Sequence, residues 1–239
     1  MNLNDILKNT AVVKAEEVMM STIVTLFQER PAYEKAQLAG SMGAKLLISP
    51  EFKGRLPLGT DIDFVFDGIP SNLKKDLAVR KLIDFAERRY CKQGVVETVA
   101  YSKHEVYDLP EKKFDLVDTF IGSMGSLRLP DLTPVSFNYD PETRTHELRV
   151  AHPGFLAACC LYAGGLKRLN RLRFILETSM KDNHFRIDYY NIAEACRHTL
   201  DISNVGEKDI EETLRHARHR YGHDKLYMDF IGKAVQTKS

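Results

Sequence analysis

The sequence is poor in cysteine. It has four cysteines among 239 residues, at Cys91, Cys159, Cys160 and Cys196, and no two of them form a CxxC pair. Cys159 and Cys160 are neighbours in an apolar segment, and neighbouring residues of a helix point in different directions. This pattern argues against a disulfide framework. We interpret all four as reduced, mostly buried thiols of a cytoplasmic protein.

Long uncharged runs are also absent. The longest stretch without Lys, Arg, Asp or Glu covers 150–166, and His152, Pro153, Gly164 and Gly165 interrupt it. We therefore expect a buried helix here rather than a membrane span, which needs about 20 apolar residues in succession. The first residues, MNLND, lack the basic region and apolar block of a secretory signal, and we expect none.

Neither sign of charge dominates the sequence. The 34 Lys and Arg residues nearly balance the 33 Asp and Glu residues, which leaves a net charge of +1. Bulk charge therefore does not predict a polyanionic partner. The clearest local excess lies at 167–186, where six basic residues stand against two acidic ones. This basic stretch is either a solvated helix face or a surface that binds an acidic ligand.

The spacing of apolar residues changes near Pro153, and it predicts the fold class. In the first part we predict helices at 12–29, 34–48 and 72–91, and strands at 61–66, 95–100, 106–109, 114–120, 126–129 and 146–150. After Pro153 we predict helices alone, at 153–164, 167–180, 184–201, 207–220 and 224–236. The sequence thus predicts an α+β protein with a mixed α and β part at 1–150 and a helical part at 151–239.

Two acidic residues, Asp61 and Asp63, lie in a predicted strand that reads TDIDF at 60–64. Alternate residues of a strand share a face, so these two carboxylates project together, roughly 7 Å apart along the backbone. Ile62 and Phe64 point the other way, into a core. Paired carboxylates repel each other unless a cation lies between them, and Mg²⁺ prefers such oxygens. The pair is either a metal platform or two solvated residues at a strand end.

A second motif, AGSMGAK at 39–45, comes before a helical run. Free backbone N–H groups at such a turn favour an anion, and the Ser41 hydroxyl can donate to a phosphate oxygen. Lys45 lies one helical turn after Ser41 and is expected to face the same site. Gly40 and Gly43 keep the turn small. An ordinary loop is the alternative for this motif taken alone.

Together, the Gly40–Ser41 turn and the TDIDF strand resemble the nucleotidyltransferase superfamily, which has the polymerase-β-like fold. Within it, the chain is most similar to the toxin nucleotidyltransferases of the abortive-infection type, the AbiEii and MenT-like group. The resemblance implies a nucleotidyltransferase-like mixed sheet with flanking helices, followed by a helical bundle. It also implies Mg²⁺ or Mn²⁺ at Asp61 and Asp63. A nucleoside triphosphate such as ATP, GTP or CTP would lie near Gly40, Ser41 and Thr60.

The resemblance also implies a third carboxylate on a later strand. Asp115 and Asp118, in KFDLVDTF at 113–120, are the two candidates. They lie three residues apart and are expected on opposite faces of one strand. The superfamily motif favours Asp115 slightly, and both residues stay open as the third metal ligand or the base.

The resemblance continues into the helical half. The segment LAACCLYAGG at 156–165 is similar to the family helix LLAMKLLAGR, and RIDYYNI at 186–192 is similar to RRDxxDI. Asp188 matches the first family aspartate and, with Arg186, is expected to close the site. The family lysine falls on Cys160, which carries no positive charge. Lys167 or Lys45 is expected to contact the nucleotide phosphates instead.

The activity that the resemblance implies is Mg²⁺-dependent transfer of a nucleotide from a nucleoside triphosphate to an acceptor hydroxyl. The acceptor would be tRNA, as in the toxin-type relatives, and a cognate antitoxin is a further expected partner. Two alternatives stay open: transfer to a small molecule, as in antibiotic-modifying enzymes, and nucleotide binding without turnover. No membrane partner is expected.

Overall fold

A computed structural model describes residues 19–20, 23–24, 26–27, 33–56, 62–68, 99–102, 105–108, 112–115, 117–139, 146–181 and 187–235. These residues form an α+β fold with one five-stranded mixed sheet and two smaller sheets. Most of the described helices lie after residue 152. The α+β class is therefore confirmed.

The strands are β1 (Ala36–Leu38), β2 (Ile62–Phe66), β3 (Val99–Ser102), β4 (Glu105–Asp108), β5 (Lys112–Asp115), β6 (Val117–Ile121), β7 (Ser123–Met124), β8 (Leu127–Arg128), β9 (Val135–Tyr139) and β10 (His146–Val150). The helices are α1 (Gly40–Leu47), α2 (Pro50–Lys53), α3 (Pro153–Ala163), α4 (Leu166–Lys181), α5 (Tyr189–Ile202), α6 (Glu211–Tyr221) and α7 (Lys225–Val235). A short 3-10 helix covers Glu207–Asp209.

The main sheet has the order β6-β2-β1-β10-β9. Strands β2 and β6 are parallel, as are β1 and β10, whereas the other two pairs are antiparallel. Strand β2, which carries the candidate acidic motif, is therefore flanked on both sides. All five of its described residues are buried, so its apolar side chains lie in the core as predicted.

Strand β1 corrects one prediction from the sequence. The helix predicted at 34–48 begins only at Gly40, because residues 36–38 form a strand instead. Ala36, Gln37 and Leu38 pair with β2, and Leu38 also pairs with Val150. Three residues are too few for a strand periodicity to be recognised, and here the sheet contacts decide the conformation.

The strand predicted at 114–120 is also wrong, because the structure divides it. Residues up to Asp115 belong to β5, which pairs with β4 in a separate three-stranded sheet. Residues from Val117 onward belong to β6 of the main sheet. The predicted helix at 72–91 lies outside the described residues. Within the predicted helix at 12–29, the six described residues are helical.

The C-terminal helices lie where they were predicted, but two of them begin later: α5 begins at Tyr189 rather than at 184, after its cap Asp188, and α6 begins at Glu211 rather than at 207. Helix α3 ends where Gly164 and Gly165 adopt positive φ angles of 62° and 80°. The apolar stretch before them is a buried helix, as predicted. It packs so closely on α5 that a Cβ on Gly154 would lie 2.3 Å from the Ala195 Cβ.

The helical half shares one hydrophobic core with the sheet. The Phe52 ring of α2 stacks on Phe174 of α4, with 5.2 Å between the ring centroids. Nearby, the Ser49 backbone N–H donates a 3.0 Å hydrogen bond to Thr178 Oγ1. Burial of one phenylalanine contributes about 1.5–3 kcal/mol. The predicted division at residue 150 therefore separates two sequence segments that pack on each other.

None of the helices in the described ranges combines the length and the apolar composition needed to cross a bilayer.

Candidate active site

The turn between β1 and α1 brings Gly40 against Asp63 of β2. The Ala39 backbone N–H donates a 2.7 Å hydrogen bond to the Asp63 carbonyl oxygen. Gly40 has a φ of +55°, which side-chain-bearing residues adopt only with strain. A Cβ on Gly40 would lie 1.5 Å from Asp63 Oδ2. Two independent reasons therefore require glycine here: the positive φ angle, and the lack of space for a side chain beside the Asp63 carboxylate.

A cavity of about 310 Å³ opens at this point, between the sheet and the helices α3 and α4. Its wall is made by residues from four parts of the chain. They are Gly40, Ser41, Asp63, Met124, Leu156, Cys159, Cys160, Ala163, Lys167, Arg168 and Arg171. The cavity thus combines the glycine-serine turn, one residue of the acidic motif and the start of the basic stretch.

Ser41 is a buried polar residue of the cavity wall, with 6% of its surface exposed. Within the part of the chain that the structure describes, its Oγ has no hydrogen-bond partner. A buried hydroxyl without a partner costs about 1–3 kcal/mol. Ser41 also lies at the start of α1, where the N-cap residue Ala39 makes no side-chain cap bond. This end of the cavity is therefore suited to a ligand with negatively charged oxygens.

Three cationic side chains of α4 also line the cavity. Lys167 and Arg168 are exposed, and Arg171 is half-buried. One Arg168 guanidinium nitrogen lies 3.4 Å from the Ala163 carbonyl oxygen and 3.5 Å from that of Gly164. Arg168 thereby satisfies carbonyl groups at the end of α3. The sequence singled out Lys167 and left Arg168 and Arg171 within a longer basic stretch.

Asp63 is the carboxylate that the described residues contribute to the cavity wall. It is 6% exposed. Asp61 and Thr60 lie outside the described residues, as does Arg186. Among the side chains that the structure describes, no group of three His, Cys, Asp or Glu residues is arranged to hold a metal ion.

The register of β2 and β6 separates the two candidates for the third carboxylate. Asp118 is the direct partner of Asp63 on the neighbouring parallel strand. Asp115 lies on β5 in the other sheet, where it pairs with Glu105. The sequence pattern suggested one strand for both residues, but they lie on two different strands. The backbone brings Asp118, rather than Asp115, next to the acidic motif.

Cys160 lines the cavity at the position where the resemblance expects a lysine. Burial raises the pKa of its thiol, although Arg171 and Arg168 oppose the effect. Burial also raises the pKa of Cys159, and electrostatic interaction with Cys160 and Asp63 raises it further. Both cysteines are therefore neutral thiols at pH 7.

Two other predicted site residues do not line the cavity. Lys45 lies in the last turn of α1 and is buried, with 6% of its surface exposed. Asp188 caps the N-terminus of α5, where its carboxylate accepts a 2.9 Å hydrogen bond from the Asn191 backbone N–H. A structural role in starting a helix explains the position of Asp188.

The sequence did not indicate Met124, which contributes an apolar side chain to the cavity wall. It lies in the hairpin of β7 and β8. The hairpin is attached to the end of β2 by a 2.7 Å hydrogen bond from the Gly122 N–H to the Phe66 carbonyl oxygen. A single methionine in a short turn carries no sequence signal for this position.

Comparison of the chain with models of known protein families gave no match, and comparison with curated proteins gave none either. The chemistry of the cavity therefore has to be inferred from the residues that line it.

Proposed function

We propose that the chain is a nucleotidyltransferase that uses Mg²⁺ or Mn²⁺ and has a polymerase-β-like fold. One observation carries the proposal: the buried Ser41 hydroxyl, for which the described residues supply no hydrogen-bond partner, lies in a cavity that Asp63 and three cationic side chains also line. A nucleoside triphosphate needs hydrogen-bond donors and cations for its phosphates. It also needs carboxylates for the metal ions that it carries.

The phosphate groups would lie between the start of α1 and the start of α4. Ser41 Oγ would donate a hydrogen bond to a phosphate oxygen, and the N–H groups of the turn would face the same oxygens. Lys167, Arg168 and Arg171 would neutralise the remaining negative charge from the other side. Lys167 takes the role that the family lysine has at the position of Cys160.

One carboxylate of the cavity wall, that of Asp63, is suited to bind a divalent cation. Asp63 faces the cavity, and Asp118 is its partner in the sheet register. Asp61 is expected on the same face of the strand two residues earlier, because strand residues alternate. We propose Asp61 and Asp63 as the metal ligands and Asp118 as the third carboxylate. Bound there, Mg²⁺ would supply charge neutralisation for the α-phosphate and the departing pyrophosphate.

The chain's own residues would act mainly by positioning. The acceptor hydroxyl oxygen forms a bond to the α-phosphorus as the bond between this phosphorus and the bridging oxygen of the β-phosphate breaks, and pyrophosphate leaves. Asp118 would accept the hydroxyl proton as the base. Ser41 and the cations of α4 would hold the triphosphate in line with the acceptor.

The acceptor that we favour is RNA, and tRNA in particular. Lys167 and Arg168 are exposed beside the cavity, so their charges are available to phosphates outside it as well. A small hydroxyl compound is the alternative acceptor, and a cognate antitoxin remains a proposed partner.

Nucleotide binding without transfer is the second candidate function. It is favoured by the neutral Cys160 thiol in the cavity wall, where the family has a cation. On this alternative, the chain would retain a nucleoside triphosphate with Mg²⁺ but would label no acceptor.

The deciding experiment incubates the purified protein with each α-³²P-labelled nucleoside triphosphate, Mg²⁺ and total cellular RNA. We expect label in RNA, and we expect Asp63→Asn to abolish it. Asp67→Asn is the matched control, since Asp67 follows the same strand and is exposed. Label retained by the protein but never transferred would support the binding function. No binding of any nucleotide would contradict both proposals.

A further inference from the structure

Tyr162 is an exposed aromatic residue of α3, the helix that supplies part of the cavity wall. It lies on α3 between Cys159 and Ala163, which both line the cavity. Its side chain does not line the phosphate end, and 36% of the residue is exposed. Large apolar side chains with this exposure are few in the described part of the chain: Ile121, Tyr162, Leu166, Met180 and Tyr190.

The Tyr162 ring is held in place from both ends. Its backbone belongs to α3, and its hydroxyl donates a 2.9 Å hydrogen bond to Ser126 Oγ. Ser126 lies in the turn of the β7–β8 hairpin, two residues after Met124 of the cavity wall. A 2.8 Å bond from the Arg128 backbone N–H to Ser203 Oγ ties the same hairpin to the end of α5. A ring fixed in this way loses little conformational entropy when a ligand contacts it.

The polar groups of the cavity are suited to the phosphate part of a nucleotide. At about 310 Å³, the cavity lies at the lower end of the range of roughly 300–1,000 Å³ for ligand sites. Its cations and the Ser41 hydroxyl are suited to phosphates rather than to a base. With its phosphates bound there, the sugar and base of a nucleotide would extend toward the mouth of the cavity, and Tyr162 lies on α3 beside two of the wall residues.

We propose that the Tyr162 ring is the surface on which the nucleobase stacks, and this inference rests on the proposed function. Stacking accepts every base, because each has a π-face, but it favours the base with the larger surface. The substrates would therefore be nucleoside triphosphates of any base, with purines bound more tightly than pyrimidines. In this role Tyr162 determines substrate preference without touching the reacting atoms.

Calorimetric titration of GTP, ATP, CTP, UTP and inorganic tripolyphosphate, each with Mg²⁺, tests the proposal. We expect Tyr162→Ala to raise the Kd of purine nucleotides about tenfold and to remove the preference for purines. The Kd of tripolyphosphate should stay unchanged. Tyr162→Phe should keep the purine preference, because the ring is kept and only its hydrogen bond to Ser126 is lost. Tyr190→Ala is the matched control, since Tyr190 is 63% exposed but lies elsewhere, under the Lys233 ammonium.

A second measurement reports stacking directly. The fluorescence of 2-aminopurine riboside triphosphate should be quenched on binding to the wild type and to Tyr162→Phe, and not on binding to Tyr162→Ala. The proposal is overturned if Tyr162→Ala leaves nucleotide affinity unchanged. It is also overturned if the variant loses as much affinity for tripolyphosphate as for GTP. If the wild type binds neither GTP nor tripolyphosphate, the phosphate site of the proposed function fails as well. Tripolyphosphate binding without any base preference refutes the stacking surface alone.

Discussion

The Asp63 carboxylate occupies the space in which a side chain on Gly40 would lie, 1.5 Å from the position of its Cβ. The strand that carries the acidic motif and the turn that precedes α1 are therefore in direct contact. A change at either residue displaces the other, so the conformation of the turn and the position of the carboxylate are linked.

Gly40→Ala should damage both stability and the site. The new methyl group must displace Asp63, and the φ of +55° adds backbone strain of about 1–3 kcal/mol. We expect a lower Tm and a loss of nucleotide binding, measured by thermal unfolding and calorimetry. The control is Gly54→Ala, because Gly54 has a φ of −66° and a methyl group there would meet no atom within 4 Å. A Gly40→Ala protein with wild-type Tm would contradict the described contact.

Asp118→Asn should reduce nucleotide transfer strongly, whereas Asp115→Asn should change it little. Asp118 is the register partner of Asp63, and Asp115 belongs to a different sheet. Loss of a residue that acts as a base typically costs about 10²–10⁴-fold in rate. Initial rates of label transfer, with both variants checked by circular dichroism, provide the measurement. The opposite ranking would make Asp115 the third carboxylate.

Ser41→Ala should move stability and binding in opposite directions. Without ligand, the substitution removes a buried hydroxyl that lacks a partner, so the free energy of unfolding should stay equal or rise by about 1 kcal/mol. Nucleotide affinity should fall, because the phosphate loses a donor.

Ser179→Ala is the comparison for Ser41→Ala. Ser179 is also buried, but its hydroxyl donates a 2.8 Å hydrogen bond to the Leu176 carbonyl oxygen. We expect the free energy of unfolding of this variant to fall by about 1 kcal/mol and its nucleotide affinity to equal that of the wild type. Urea unfolding and calorimetry distinguish the two. A destabilised Ser41→Ala protein would show that the hydroxyl has a structural partner.

His152 should make the fold less stable in mild acid. Burial lowers the pKa of His152 from 6.5 to about 4, and its Nδ1 accepts a 3.1 Å hydrogen bond from the Gly154 N–H at the start of α3. The unfolded chain takes up a proton below pH 6.5 while the folded chain stays neutral until about pH 4. Stability is therefore present above pH 6.5 and falls as the pH decreases through this window.

The loss attributable to His152 should be on the order of 2 kcal/mol between pH 7 and pH 4.5. His152→Asn keeps an acceptor for the helix cap and removes the titrating group, so its unfolding free energy should depend less on pH. His216→Asn serves as the control, because the His216 side chain is 53% exposed. Equal pH dependence in wild type and His152→Asn would exclude His152 as the cause.

The sequence allowed prediction of the parts of the site that depend on local patterns. The glycine-serine turn, the acidic strand and Lys167 are each visible in a short window, and the structure brings Gly40, Ser41, Asp63 and Lys167 together. The long C-terminal helices were also predictable, since their apolar residues recur with the helical period.

Other parts depend on contacts between distant segments. The choice between Asp115 and Asp118 is set by where the chain leaves one sheet and enters another, which a continuous strand-like pattern does not reveal. Within the basic stretch, Arg171 lines the cavity while Arg173 instead binds Glu177 and Asp224. Their side chains are chemically identical, and only the packing of α4 distinguishes them.

The stacking of Phe52 on Phe174 and the hydrogen bond from Ser49 to Thr178 determine how a ligand can enter. These contacts join the segment that follows α1 to α4, and the hydrogen-bonded pair is 129 residues apart in sequence. Helices α1 and α4 supply two walls of the cavity, so these walls cannot swing apart like a hinge without breaking the aromatic stack. Separation of α1 from α4 to admit a ligand would therefore break both the aromatic stack and the hydrogen bond.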